Sequence, residues 1–173
     1  MTNFTGLKNV TIAYPERDNV FRLSQRLYCD FTKHCLSVKP ADDFAGPQHF
    51  AMPTLAPWLD NILIVDYLPR SDRFQYRHYG AMIASINGFD MTGRYVSDFD
   101  SEVGRLYDRL YRKCIAEKVL IRCEHTRVHT PVQCDWHRLL CPVRNNDDIY
   151  VVAFGIPVNI QAPALQQSRR GGL

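Results

Sequence analysis

Apolar side chains recur every third or fourth residue between positions 20 and 35. Val20, Leu23, Leu27, Phe31 and Cys35 fall on one helical face, and Arg22, Gln25, Arg26, Asp30 and Lys33 on the other. Pro15 suits a helix start, and Glu16 and Asp18 suit the positive end of its dipole. This pattern predicts an amphipathic helix of about five turns. Met1–Tyr14, ahead of it, shows no clear period. After it, Pro40, Gly46, Pro47, Pro53 and Pro57 forbid a long helix or a central strand. Phe44, Phe50, Met52, Leu55, Trp58 and Leu59 still need burial, so this stretch reads as an ordered arm with one short helical turn.

The period then changes to two. Asn61–Leu68 and Phe74–Tyr79 read as paired strands across the turn Pro69–Asp72, with Phe74, Tyr76 and His78 alternating against Gln75, Arg77 and Tyr79. Gly80 ends the second strand. Ala81–Ile86 is a short helix stopped by Asn87-Gly88, and Phe89–Thr92 and Tyr95–Phe99 are two more short pieces either side of Gly93. Ser101–Lys118 is one long helix, capped by Asp100 or Ser101, with Val103, Leu106, Tyr107, Leu110, Cys114 and Ile115 as its apolar stripe. Three strands close the pattern: Val119–Val128, Cys134–Val143 and Ile149–Ile156, the last two joined by a hairpin turn at Asn145–Asp148. The pattern is lost from Pro157 to Leu173, which is expected to fray.

The elements imply an α+β fold: a five-stranded antiparallel sheet, short helices and one long helix on one face, and an N-terminal amphipathic helix. The expected organisation is an N-terminal extension over 1–40, a domain over 41–156 and a flexible tail over 157–173. A length of 173 residues suits one domain with a proper core. The net charge of +3 is spread along the chain, which speaks against a nucleic-acid partner. No apolar run approaches the ~20 residues that span a bilayer. The N-terminus lacks the basic-then-apolar layout of a signal peptide, so the expected location is cytoplasmic. The six cysteines then read as reduced and mostly buried thiols.

Several fragments fall in a recognisable order. Asp43-Phe44 and Pro47 precede Leu55 and the strand Ile62-Leu63-Ile64-Val65-Asp66. Phe74-x-Tyr76-Arg77, Gly80, Gly88, Met91-Thr92-Gly93-Arg94 and Phe99 follow, and Leu139-Leu140-Cys141-Pro142-Val143 closes the set. Together they resemble the stand-alone bacterial PAS domains of the PAS_5 family, over Ala41–Ile156 and the preceding helix. The resemblance implies a sensory or interaction module whose short helices and long helix enclose a small pocket on one sheet face. It also implies dimerisation through the other face or the N-terminal helix, and action through a signalling partner whose identity is unknown.

By pattern and resemblance, the pocket lining comes from Tyr79, Ile83, Ile86, Phe89, Tyr95, Phe99, Leu106 and Leu110, with Ile121, Cys123, Leu139 and Phe154 as its floor. The competing reading is a filled core in which these residues simply touch one another, leaving a protein-interaction module. The candidate surface for a homodimer or partner is Val20, Leu23, Leu27 and Phe31; that stripe packs either on its own sheet or on a second copy.

Cys123, His125, His129, Cys134, His137 and Cys141 form a further cluster of zinc-ligand types. It lacks a Cys-x2-Cys knuckle, and Cys134 and His137 should face opposite ways on a regular strand. Buried thiols and surface histidines are the expected account, with no metal. The resemblance also disfavours two cofactors: Ser101–Lys118 carries no histidine for haem, and no Asn-Cys-Arg-Phe motif is present for photoreactive flavin. No other cofactor is assigned. Asp135-x-His137 could orient a base beside a cysteine nucleophile, but no nucleophile elbow, phosphate loop or His-Glu-x-x-His occurs, so no catalysis is expected.

Overall fold

The computed structural model describes residues 7–15, 26–99, 101–128 and 133–161, without the side chains of residues 7, 101 and 128. Its centre is a hairpin that alternation alone explains only in part. Strand β2 (Ile62–Leu68) pairs with β3 (Arg73–Tyr79), and the register slips between Ile64↔His78 and Val65↔Tyr76, so Arg77 has no opposite number. That one-residue bulge puts Tyr79 on the same face as Phe74 and Tyr76, and all three are buried. Gly80 follows because nothing larger fits: a Cβ there would lie 2.3 Å from the Asp60 carbonyl oxygen.

Helix α3 (Ala81–Asn87) ends at Gly88, whose φ of 81° is the left-handed cap expected of Asn-Gly. A short 3₁₀ turn over Val96–Asp98 leads to the long helix α4 (Ser101–Glu117). Strands β4 (Ile121–Val128), β5 (Gln133–Asn145) and β6 (Asp148–Gln161) follow as a meander. The β5–β6 turn closes on Asn145↔Asp148, with Asn146 at φ 54°, as its Asn-Asn-Asp-Asp sequence demands.

The sheet is antiparallel and has six strands, not five. Its order is β1-β4-β5-β6-β2-β3, so β6 returns to lie beside β2. The extra strand β1 (Leu7–Ala13) lies in the segment without a sequence period. The reason is its position. It pairs only with β4, a register shift separates Lys8 from Thr11, and Asn9 takes φ 52°. Residues 8–12 are exposed on both faces, so burial imposes no alternation on them. The expected fraying from Pro157 is also corrected: β6 continues to Gln161, pairing Pro157 with Trp136 and Val158 with Asp135. Residues 162–173 lie outside the described set.

Layers cover both faces of the sheet. On one side α3, the 3₁₀ turn and α4 bury Leu63, Val65, Tyr76, Ile121, Trp136 and Leu140. On the other, helix α1 (Arg26–Val38) and the proline-rich arm bury Ile62, Leu139, Cys141, Val143, Val152 and Phe154. The arm folds as three short turns, not one: Pro47–Phe50, helix α2 (Met52–Leu55) and Ala56–Asn61, each with proline in its first two positions. Upstream, Ala45 bridges Val143 in parallel. No helix among the described residues is long and apolar enough to cross a membrane.

Candidate functional site

The layer between the sheet and α4 is unusually polar for a core. Alternation on β4 sends Cys123, His125 and Arg127 inward, and on β5 it sends Cys134, Trp136, Arg138 and Leu140 to the same side. From above, α4 contributes Tyr107 and Tyr111, β3 contributes Tyr76 and Tyr79, and the end of α3 contributes Asn87.

Arg138 is 2% exposed. Its guanidinium lies 4.0 Å from the centre of the Tyr107 ring and 5.4 Å from that of Trp136, a cation–π setting. Burial opposes its charge and the surrounding Tyr107, Tyr111, Tyr76 and Tyr79 favour it; the group stays protonated. No carboxylate of the described residues pairs with it. Its Nε and Nη1 have no hydrogen-bond partner, nor do the hydroxyls of Tyr76 and Tyr111 or the indole Nε1 of Trp136. The Tyr111 hydroxyl is next to both the Tyr76 hydroxyl and the Arg138 guanidinium, without the geometry of a full hydrogen bond to either, and burial pushes both phenols up, Tyr111 to about 12.

Arg127 is buried too, but it is engaged. Its Nη1 donates to Asn87 Oδ1 at 2.6 Å, and the guanidinium lies 4.5 Å from the centre of the Phe99 ring. Asn87 passes the contact on, donating from Nδ2 to the Tyr79 hydroxyl at 2.6 Å. His125 shares a hydrogen bond of 3.0 Å with the Tyr107 hydroxyl and has Cys123 Sγ 3.8 Å from Nδ1. Burial first, then Arg138 and Arg127, push the imidazole down to about 3, and burial pushes the Cys123 thiol up to about 11. Both groups are therefore neutral at pH 7. An activated thiolate–imidazolium pair would need the opposite shifts.

Ten of the twelve expected pocket residues belong to this side of the sheet. Tyr79, Ile83, Phe99, Leu106, Leu110, Ile121 and Cys123 are buried there, and Ile86 and Phe89 pack against them half-buried. Tyr95 is at the rim, its ring 3.4 Å from the Arg73 guanidinium, and it bridges Gln75 on β3. Leu139 and Phe154 are not part of the floor. They sit directly opposite each other on β5 and β6 and face α1. Arg138, Leu140 and Ala153 take the inward positions instead. Phe99 and Leu106 also line an open groove of about 720 Å³ between β1 and α4, together with Val10, Glu102, Arg105 and Arg109.

The cysteine–histidine cluster is divided by the sheet. Cys123, His125 and Cys134 face α4, whereas Cys141 packs under α1 and the His137 ring lies 6.4 Å from that of Tyr28 on the same side. No group of three or more His, Cys, Asp or Glu among the described residues could hold a metal ion. His129 lies outside those residues. The cysteines are free, and all but Cys29 are buried. His125 is not the surface histidine expected: it is 1% exposed. Asp135 does not serve His137 as an orienting partner. Its carboxylate accepts from Thr126 at 2.6 Å and Asn159 at 2.8 Å, which hold it below the usual carboxylate range.

Of the proposed dimer surface, Phe31 is fully buried against its own sheet, stacked on Phe154 with ring centres 5.3 Å apart. The buried stripe of α1 is Tyr28, Phe31, Thr32 and Cys35, and Leu27 is exposed. Tyr28 takes the inward place beside Phe31 and Cys35, and its hydroxyl donates to the Arg138 carbonyl at 2.9 Å. Val20 and Leu23 lie outside the described residues. No family model, no curated protein and no solved structure matches the chain.

Proposed function

We propose that this chain is a sensory or signalling module of the PAS type, without catalysis of its own, that takes a small ligand between its sheet and α4. One observation carries the reading. Five buried polar atoms without partners, on Tyr76, Tyr111, Trp136 and Arg138, occur in one core layer. Buried polar atoms left unpaired cost stability, and native cores leave few of them. A core evolved only to be filled would use apolar residues here.

The order of elements supports the type: a hairpin, short helices, one long helix, then three strands, with the helices from α3 to α4 over one face. The sixth strand is an addition to the resemblance. In this reading the occupied state favours one packing of the segment from α3 to the 3₁₀ turn over another, and the change reaches the outer surface and a protein partner. That segment is held to β3 by Tyr76 N–H donating to the Arg94 carbonyl at 2.9 Å and Gly93 N–H to the Tyr76 carbonyl at 2.7 Å. Displacing it thus disturbs the sheet edge directly.

Native mass spectrometry of the purified chain, together with a thermal-shift screen of small metabolites, tests this. The expected result is a retained molecule or a saturable rise in melting temperature. Failure of both leaves a filled core and sinks the sensor reading.

A further inference from the structure

We infer that the interior site takes a small organic acid, its carboxylate set against the Arg138 guanidinium and its apolar body among the surrounding aromatic rings. The inference rests on the ligand-binding reading above and adds the chemistry of the ligand.

Donors, acceptors and charge all select an anion. Nε and Nη1 of Arg138 and Nε1 of Trp136 can only donate, and the Tyr76 and Tyr111 hydroxyls are able to. A ligand that satisfies this set must be an acceptor. A carboxylate is acceptor-only, and its oxygens offer about four lone-pair sites. The charge agrees. Arg138 is a buried cation with no acidic partner, and a buried charge persists comfortably only when paired. Nearby acids are committed elsewhere: Asp135 to Thr126 and Asn159, and Glu124 to Arg122. Arg127 already donates to the Asn87 amide, so Arg138 is the guanidinium with donors still open. The groups around Arg138 are the rings of Tyr107, Trp136, Tyr76, Tyr79 and Tyr111, which suit an apolar body more than a bare inorganic ion.

The test is thermal shift on the full chain, with benzoate and phenylacetate as probes, benzamide and phenylacetamide as their neutral counterparts, and inorganic phosphate. Carboxylates are expected to raise the melting temperature saturably, by roughly 5 °C or more at a hundred times Kd. The amides should bind at least tenfold more weakly. Arg138→Met should abolish the carboxylate shift while leaving the ligand-free melting temperature at or above its native value, because it removes an unpaired buried charge. Should that variant fail to fold, Tyr76→Phe removes one donor with little change of shape and should weaken carboxylate binding severalfold.

Equal binding of acids and amides, or an undiminished shift in Arg138→Met, overturns the inference while leaving a ligand-binding interior standing. A shift with phosphate alone replaces the organic acid by an inorganic anion. No shift with any probe sinks this inference; the sensor reading falls with it only when the metabolite screen also gives no shift and no small molecule is retained on purification.

Discussion

His125 shows how one side chain couples this interior to pH. In the unfolded chain it titrates near its ordinary value of about 6.5. In the fold, burial and then the neighbouring arginines hold it at about 3. Between those values the unfolded chain binds the extra proton, so this contribution is whole above about pH 6.5 and is lost as pH falls toward 3. The limiting slope is about 1.4 kcal/mol per pH unit. Melting temperature should therefore drop between pH 7 and pH 5, and His125→Gln should flatten that limb. A limb unchanged in the variant would place the titration elsewhere. The sequence does hold a trace of this interior. Cys134, Trp136, Arg138 and Leu140 share one parity, so an arginine stands where apolar residues alternate. The trace is faint because Leu139 and Cys141, between them, are apolar as well. Where both faces of a strand are covered, hydropathy no longer says which residues share a side, which is why Leu139 and Phe154 lie under α1 and not beneath α4 as their pattern suggests.

At the scale of elements, two glycines near α3 answer to different forces, and their replacement separates them. Gly80 is hemmed in by backbone, so Gly80→Ala must push β3 away from Asp60 and should cost about 3 kcal/mol. Gly88 faces open space at φ 81°, so Gly88→Ala meets only the left-handed penalty of about 1 kcal/mol. Urea denaturation of the two variants should show that ranking; equal losses would mean that contact is not what holds Gly80. The docking of α1 yields to the same measurement. Phe31→Ala removes a ring packed on Phe154, Tyr28's neighbour, and Trp58, and should cost about 3–5 kcal/mol, whereas Leu27→Ala should cost under about 1 kcal/mol. Element types were legible wherever a period was imposed by burial on one side, as in α4 and the β2–β3 hairpin. They were illegible in β1, where neither face is covered; in α1 the period placed Phe31 and Cys35 inward but not Tyr28, whose hydroxyl needs the Arg138 carbonyl, a partner that no hydropathy period encodes.

For the whole molecule, the central fact is a sheet with two unlike covers. The α1 side is apolar, with ring stacking through Phe31, Phe154, Tyr28 and Trp58. The α4 side holds two buried arginines, a buried histidine and the unpaired donors. The chain's two tryptophans are divided between them: Trp58 beside Phe31 and His34, and Trp136 beside Arg138. The molecule thus carries one native fluorophore per cover, without labelling. In a Trp58→Phe variant all indole emission comes from beside the Arg138 charge. Neutralising that charge with an anion changes the field across the ring, and the emission maximum should move with occupancy. In Trp136→Phe the remaining indole lies across the sheet and should stay dark to the same titration. The division of the core into a dry half and a charged half is therefore also a division of its light, and it lets one cuvette tell which half a molecule has entered.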